Sequence, residues 1–117
     1  TGRMSRAMEL AADLAARDAG HDFALALNTA ARFLQHHPSS APDAAVWADR
    51  LLRAAMARAA WSRPEAAAVS LLGRQCLRLG VCREAVDSVR ASAAARPDAP
   101  SRLAAQDISD EAKFLKH

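Results

Sequence analysis

Residues 66–99 read AAAVSLLGRQCLRLGVCREAVDSVRASAAARPDA, and this stretch constrains the fold more than any other. Two patterns of helical period flank a single glycine, Gly80. Before it, Val69, Leu72, Cys76 and Leu79 recur at intervals of three and four. After it, Ala85, Val86, Val89 and Ala93 do the same. So short a break leaves room only for a reversal, with glycine in the left-handed closing position. Helices over 64–79 and 83–96 are therefore expected to pack antiparallel, with Ala85 at their close contact.

The rest of the chain repeats this style. About a quarter of its residues are alanine, several times the usual share. Hydrophobic residues make up 51% but aromatics only 4%, and there is no tyrosine. Alanine is the best helix former and lets helices approach closely, so an all-α fold is expected, with five to seven helices and no sheet. At 117 residues the chain is sized for one domain.

Punctuation places the other helices. Met4, Met8, Ala11 and Ala15 mark a helix over 4–18, ended at Gly20. Asp22 is placed to cap a second helix over 23–36, with Phe23, Leu27, Ala31 and Leu34 on one face and Pro38 as its stop. Pro42 and Asp43 suit the first turn of a third helix over 43–61. Ser62-Arg63-Pro64-Glu65 is a capping box that opens the helix over 64–79. Asp98 and Pro100 begin a last helical stretch over 101–115, where Ser109-Asp110-Glu111 could cap a further short turn. The helix over 43–61 is either an unpaired insert or a partner of 64–79.

The unit at 66–99 resembles a tetratricopeptide repeat of 34 residues. Val69 stands in the aromatic place of its opening, followed by Leu72 and Gly73. Ala85 takes the small packing position, Val89 the usual phenylalanine position, and Pro97 closes the unit. The pair over 4–18 and 23–36 resembles a degenerate copy. The resemblance implies antiparallel helix pairs, in a right-handed tetratricopeptide-like α-solenoid or a compact helical bundle. It also implies an interaction module whose first helices line a groove, with Ala67, Ser70, Arg74, Leu77 and Arg78 facing it. The family's carboxylate clamp of Lys and Asn is not reproduced.

Little in the sequence points to catalysis, so no enzyme, no cofactor and no metal are expected. The glycines are isolated, no serine lies in a nucleophile-elbow pattern, and the cysteines and histidines lack metal-ligand spacing. His36 and His37 are adjacent on a helix, point apart, and suit a helix end. Cys76 and Cys82 read as two reduced, buried thiols; the alternative is a redox-sensitive pair across the turn. Free thiols suit an intracellular, cytoplasmic setting. No apolar run approaches the ~20 residues needed to span a bilayer.

Arg74 and Arg78, four apart on one helical face, suit a carboxylate or phosphate on a ligand, because the guanidinium fork binds such groups bidentately. Trp47 and Trp61 are candidate core residues or, alternatively, a hydrophobic hot spot. The expected function is therefore protein–protein interaction, as an adaptor or scaffold domain. Its partner would be an acidic amphipathic peptide or helix docking on Ser70, Arg74, Leu77 and Arg78, or on the tryptophans. Self-association through the Trp and Met faces is the alternative. Nucleic-acid binding ranks third: the net charge is only +3 and the basic residues are scattered.

Overall fold

The computed structural model describes residues 22–116, and among them it has five α-helices, one 3-10 turn and no strand. The helix expected over 4–18 and its end at Gly20 lie outside the described residues, so the expected pairing of that helix with 23–36 is not described.

Helix α1 is Asp22–His36. It buries Phe23, Leu27, Ala30, Ala31 and Leu34, a stripe of helical period. Pro38 ends the α-helical run, and Pro38–Ser40 forms the 3-10 turn. Helix α2, Ala41–Ala57, has proline in its first turn and Asp43 at its positive end. It stops short of the expected boundary at 61. Arg58 leaves the helical region with ψ 137°, and Trp61 folds back so that its Nε1 donates to the Ala55 carbonyl at 2.8 Å. The apolar periodicity runs on through Ala59 and Ala60, but the last carbonyls of α2 are claimed by side chains instead of a further turn.

Helix α3, Arg63–Leu79, begins at the expected capping box. Ser62 Oγ accepts from the Glu65 N–H at 3.2 Å, and Glu65 accepts from the Ser62 N–H at 2.7 Å. It ends at Gly80, φ 69°, which sends its N–H back to Cys76 and Leu77. Helix α4, Arg83–Ala94, is two residues shorter than expected because Arg96 turns away to cap α2. Helix α5, Ala99–Lys116, is one continuous helix. Asp98 caps it by accepting from the Ser101 N–H at 3.0 Å and hydroxyl at 2.7 Å. That bond holds the Asp98 carboxyl below the usual range. No break occurs at Ser109.

The helices alternate between two rows. Helices α1, α3 and α5 lie side by side in that order, and α2 packs beside α4 across them. Side-chain contacts fix the directions. Phe33 meets Trp47 edge-on while Phe23 lies under Arg58, so α1 and α2 are antiparallel. Cys82 touches Ala45 and Arg96 touches Ala55, so α2 and α4 are parallel. Ser70 meets Asp107 and Arg78 meets Glu111, so α3 and α5 are parallel. The result is a slab 38 × 38 × 19 Å, as thin as two helices.

This order settles the place of α2: it packs on α1, and less on α3. It is neither an unpaired insert nor chiefly the partner of α3. The α3–α4 pair is antiparallel, but its contact is the smallest among the consecutive helices. Ala85 is fully buried, yet α3 packs mainly on α1 and α5. Gly73 explains part of that closeness, because a Cβ there would lie 2.9 Å from Cδ1 of Ile108 on α5. The all-α fold is thus a compact helical bundle of alternating antiparallel pairs.

Candidate docking groove

The exposed side of the α3–α5 seam is concave. Near the start of both helices it forms an open groove of about 700 Å³. Ala66, Ser70 and Ala104 are buried at its floor, Ala67 is exposed at one wall, and Leu103 on the other is 62% exposed. Small residues make the groove, since no side chain of α3 fills the space beside α5. Arg63 and Arg102 flank it. Both are exposed, and neither side chain has a hydrogen bond or ion pair among the described residues. Because α3 and α5 are parallel, their positive N-terminal ends and these two guanidinium groups sit at the same end.

Further along the seam lies a second concavity of about 450 Å³, reached past Asp107. It contains Arg74 and Arg78, but also Asp107, Asp110, Glu111 and Phe114. Here the sequence expectation changes. Arg78 is half-exposed and bonded to Glu111 at 2.8 Å through Nη2 and 3.1 Å through Nε. Arg74 donates to the Ser70 carbonyl at 3.4 Å. Three carboxylates against two arginines do not make a basic site, so the two residues expected to hold an anion stand in a mixed, locally acidic hollow.

The other expected site residues separate as follows. Ser70 is at the groove but buried, its hydroxyl donating to Asp107 at 3.2 Å. Leu77 is half-buried and packs against the core instead of standing between the arginines. Trp47 and Trp61 are 3% and 5% exposed, so neither is a surface hot spot. Trp47 fills the α1–α2 contact, and Trp61 is pinned by its indole N–H and covered by Arg96 at 4.2 Å. The Trp–Met interface imagined for self-association loses its tryptophans for the same reason.

Arg63 and Arg102 were missed by sequence reasoning. Each is one basic residue near a helix start, and they are 39 positions apart. Only the parallel arrangement of α3 and α5 brings them together. The one available signal was that both lie in first turns, where a cation is not favoured by the helix dipole.

Among the described residues no three His, Cys, Asp or Glu side chains group as a metal would require. His36 and His37 are both exposed, with His37 against the Phe33 ring at 4.9 Å. Among the described residues no helix is long and apolar enough to cross a membrane. No protein-family model, curated protein or solved structure matches this chain.

Proposed function

We propose that this chain is a non-catalytic protein-interaction module that docks a segment of a partner protein in the α3–α5 groove. One observation carries the reading: two exposed arginines, without a partner among the described residues, flank one end of an open groove lined by alanines, Ser70 and an exposed leucine, with Asp107 at its other end. An apolar strip with one charged end suits an amphipathic peptide or helix with acidic residues at the Arg63–Arg102 end. The alternating two-row layout supports a tetratricopeptide-like interaction domain, as the register of residues 66–99 implies. The free thiols Cys76 and Cys82 favour an intracellular setting.

The acidic residues along the same face count against nucleic acid, whose backbone would meet Asp107, Asp110 and Glu111. Self-association keeps one specific observation in its favour. Phe114 and Leu115, near the end of α5, are 75% and 46% exposed.

Selection from a displayed peptide library against the whole chain tests the reading. Enriched peptides are expected to pair an apolar core with acidic residues. Arg63→Glu combined with Arg102→Glu should weaken them about tenfold or more, equivalent to about 1.4 kcal/mol, with helicity and melting unchanged. Ala67→Trp, which fills the groove from an exposed position, should act likewise. Peptides that bind both variants undiminished would move the site away from this groove. A dimer in solution that is lost on Phe114→Ser would favour self-association.

A further inference from the structure

Cys76 and Cys82 take no part in the docking groove, yet their placement is unusual. Cys76 lies in the last turn of α3 and is fully buried. Gly80 reverses the chain, and the Val81 N–H returns to the Cys76 carbonyl at 3.0 Å. That reversal carries the chain back over Cys76 and delivers Cys82 beside it. Among the described residues Cys82 is the only non-glycine with positive φ, at 56°. A residue with a Cβ adopts this conformation at a cost.

The Cys76 and Cys82 thiols lie close enough to interact, and the Cys82 S–H donates to the Ala45 carbonyl of α2 at 3.0 Å. Cys82 is half-buried, whereas Cys76 is closed to solvent. Cys82 is also the N-cap residue of α4, at the positive end of that helix, and its side chain makes no cap bond there. A thiolate is favoured at such a position. Interaction with Cys76 lowers the Cys82 thiol from its ordinary value against the opposing effect of burial, while the same interaction and burial push Cys76 up. Asp49 opposes the thiolate and Arg53 favours it, but these two are paired with each other at 2.9 Å. One sulfur is thus half-exposed at a helix N-terminus, and the other is sheltered beside it.

We propose that Cys76 and Cys82 form an oxidation site at which a peroxide closes the dithiol to an intrachain disulfide across the α3–α4 turn. The Cys82 sulfur attacks one oxygen of hydrogen peroxide and the O–O bond breaks. Cys82 becomes a sulfenic acid, and the departing hydroxide takes up the thiol proton as water. The Cys76 sulfur then attacks the Cys82 sulfur. The S–S bond forms, the S–O bond breaks, and the hydroxyl leaves as a second water with the Cys76 proton. Two electrons pass from the sulfurs to the peroxide: two thiols and one peroxide give one disulfide and two waters. Closure removes the Cys82 donor from Ala45 and so releases a tie between the starts of α4 and α2.

Peroxide treatment of the whole chain, read by intact mass and free-thiol titration, tests the proposal. The parent should lose the mass of two hydrogens and both thiols together, remain monomeric without reductant, and recover with dithiothreitol. Cys76→Ala should stop at a sulfenic acid on Cys82, trapped by dimedone. Cys82→Ser should leave Cys76 unreacted on the same timescale while folded. Cys82→Gly, which suits the positive φ, should behave as Cys82→Ser does and keeps the test valid if serine destabilises the turn. Oxidation of Cys76 in either Cys82 variant as fast as Cys82 reacts in the parent would overturn the proposal. So would a parent that gains oxygen without losing two hydrogens, or one that forms disulfides only between molecules.

Discussion

The two ends of α3 are held in different ways. At its start, polar groups from several elements converge. The capping box closes on itself through Ser62 and Glu65. Arg58 pairs with Glu65 at 3.2 Å and lies 4.2 Å over the Phe23 ring. Arg96 comes from beyond α4 to cover Trp61, and its Nη2 donates to the carbonyls of Ala55, Met56 and Arg58. At its finish, α3 has a glycine reversal, one soft sulfur contact nearby and one half-exposed ion pair to α5. The α3–α5 groove opens at the first end, so the braced end presents the groove and the looser end carries the two thiols.

Arg96→Ala is the sharpest way to break the braced end. The last carbonyls of a helix have no helical partner, and Arg96 donates to two of them in α2, Ala55 and Met56, and to Arg58 just beyond it. Charged hydrogen bonds contribute about 1.5–3 kcal/mol, and the stack on Trp61 about 1 kcal/mol. Its Nε is buried without a partner, which offsets some of this gain. A loss of about 3 kcal/mol is expected in urea unfolding. Arg96→Lys should recover less than half, because an ammonium lacks both the fork and the flat face. A fully stable Arg96→Ala would show that the carbonyls are met by water and that the end is not braced.

Arg58→Ala should cost less, about 1–2 kcal/mol in the same measurement. The Arg58 and Glu65 side chains are only 17% and 14% exposed, so salt screens their pair weakly. Glu65 keeps its bond from the Ser62 N–H after the change, which limits the loss. Loss of the Phe23 contact should add to it. A cost that vanishes in high salt would mean that the pair behaves as a surface pair.

Local signals were legible in the sequence, and long-range pairings were not. The capping box at Ser62–Glu65 and the reversal at Gly80 were readable because both are encoded within a few residues. The end of α2 was misread because Ala59 and Ala60 continue its pattern, while the competitors for its carbonyls, Trp61 and Arg96, act through folding back. The position of Arg74 and Arg78 on one face of α3 was readable too. Their surroundings were not, because Glu111 and Asp107 lie far along the chain on α5, Glu111 33 residues from Arg78. The Arg63–Arg102 pair depends on the same parallel packing. Spacing within a helix gives a face, whereas the charge on that face depends on what packs beside it.

Arg78→Ala gives the smallest expected effect and completes the comparison. The pair with Glu111 has short bonds, and Glu111 is only 9% exposed, which argues for a contribution to stability. The Arg78 side chain is 50% exposed, however, so water and salt screen the attraction, and holding a long side chain in place costs entropy. The net effect is expected at about 0–1 kcal/mol and should disappear in about 1 M salt, where screening acts within ~3 Å. Arg78→Ala should also leave the far end of the α3–α5 seam more acidic, and so bind basic peptides slightly better without changing the Arg63–Arg102 end. A salt-independent loss as large as that of Arg96→Ala would make the two ends of α3 equivalent and remove the distinction between a braced end and a loose one.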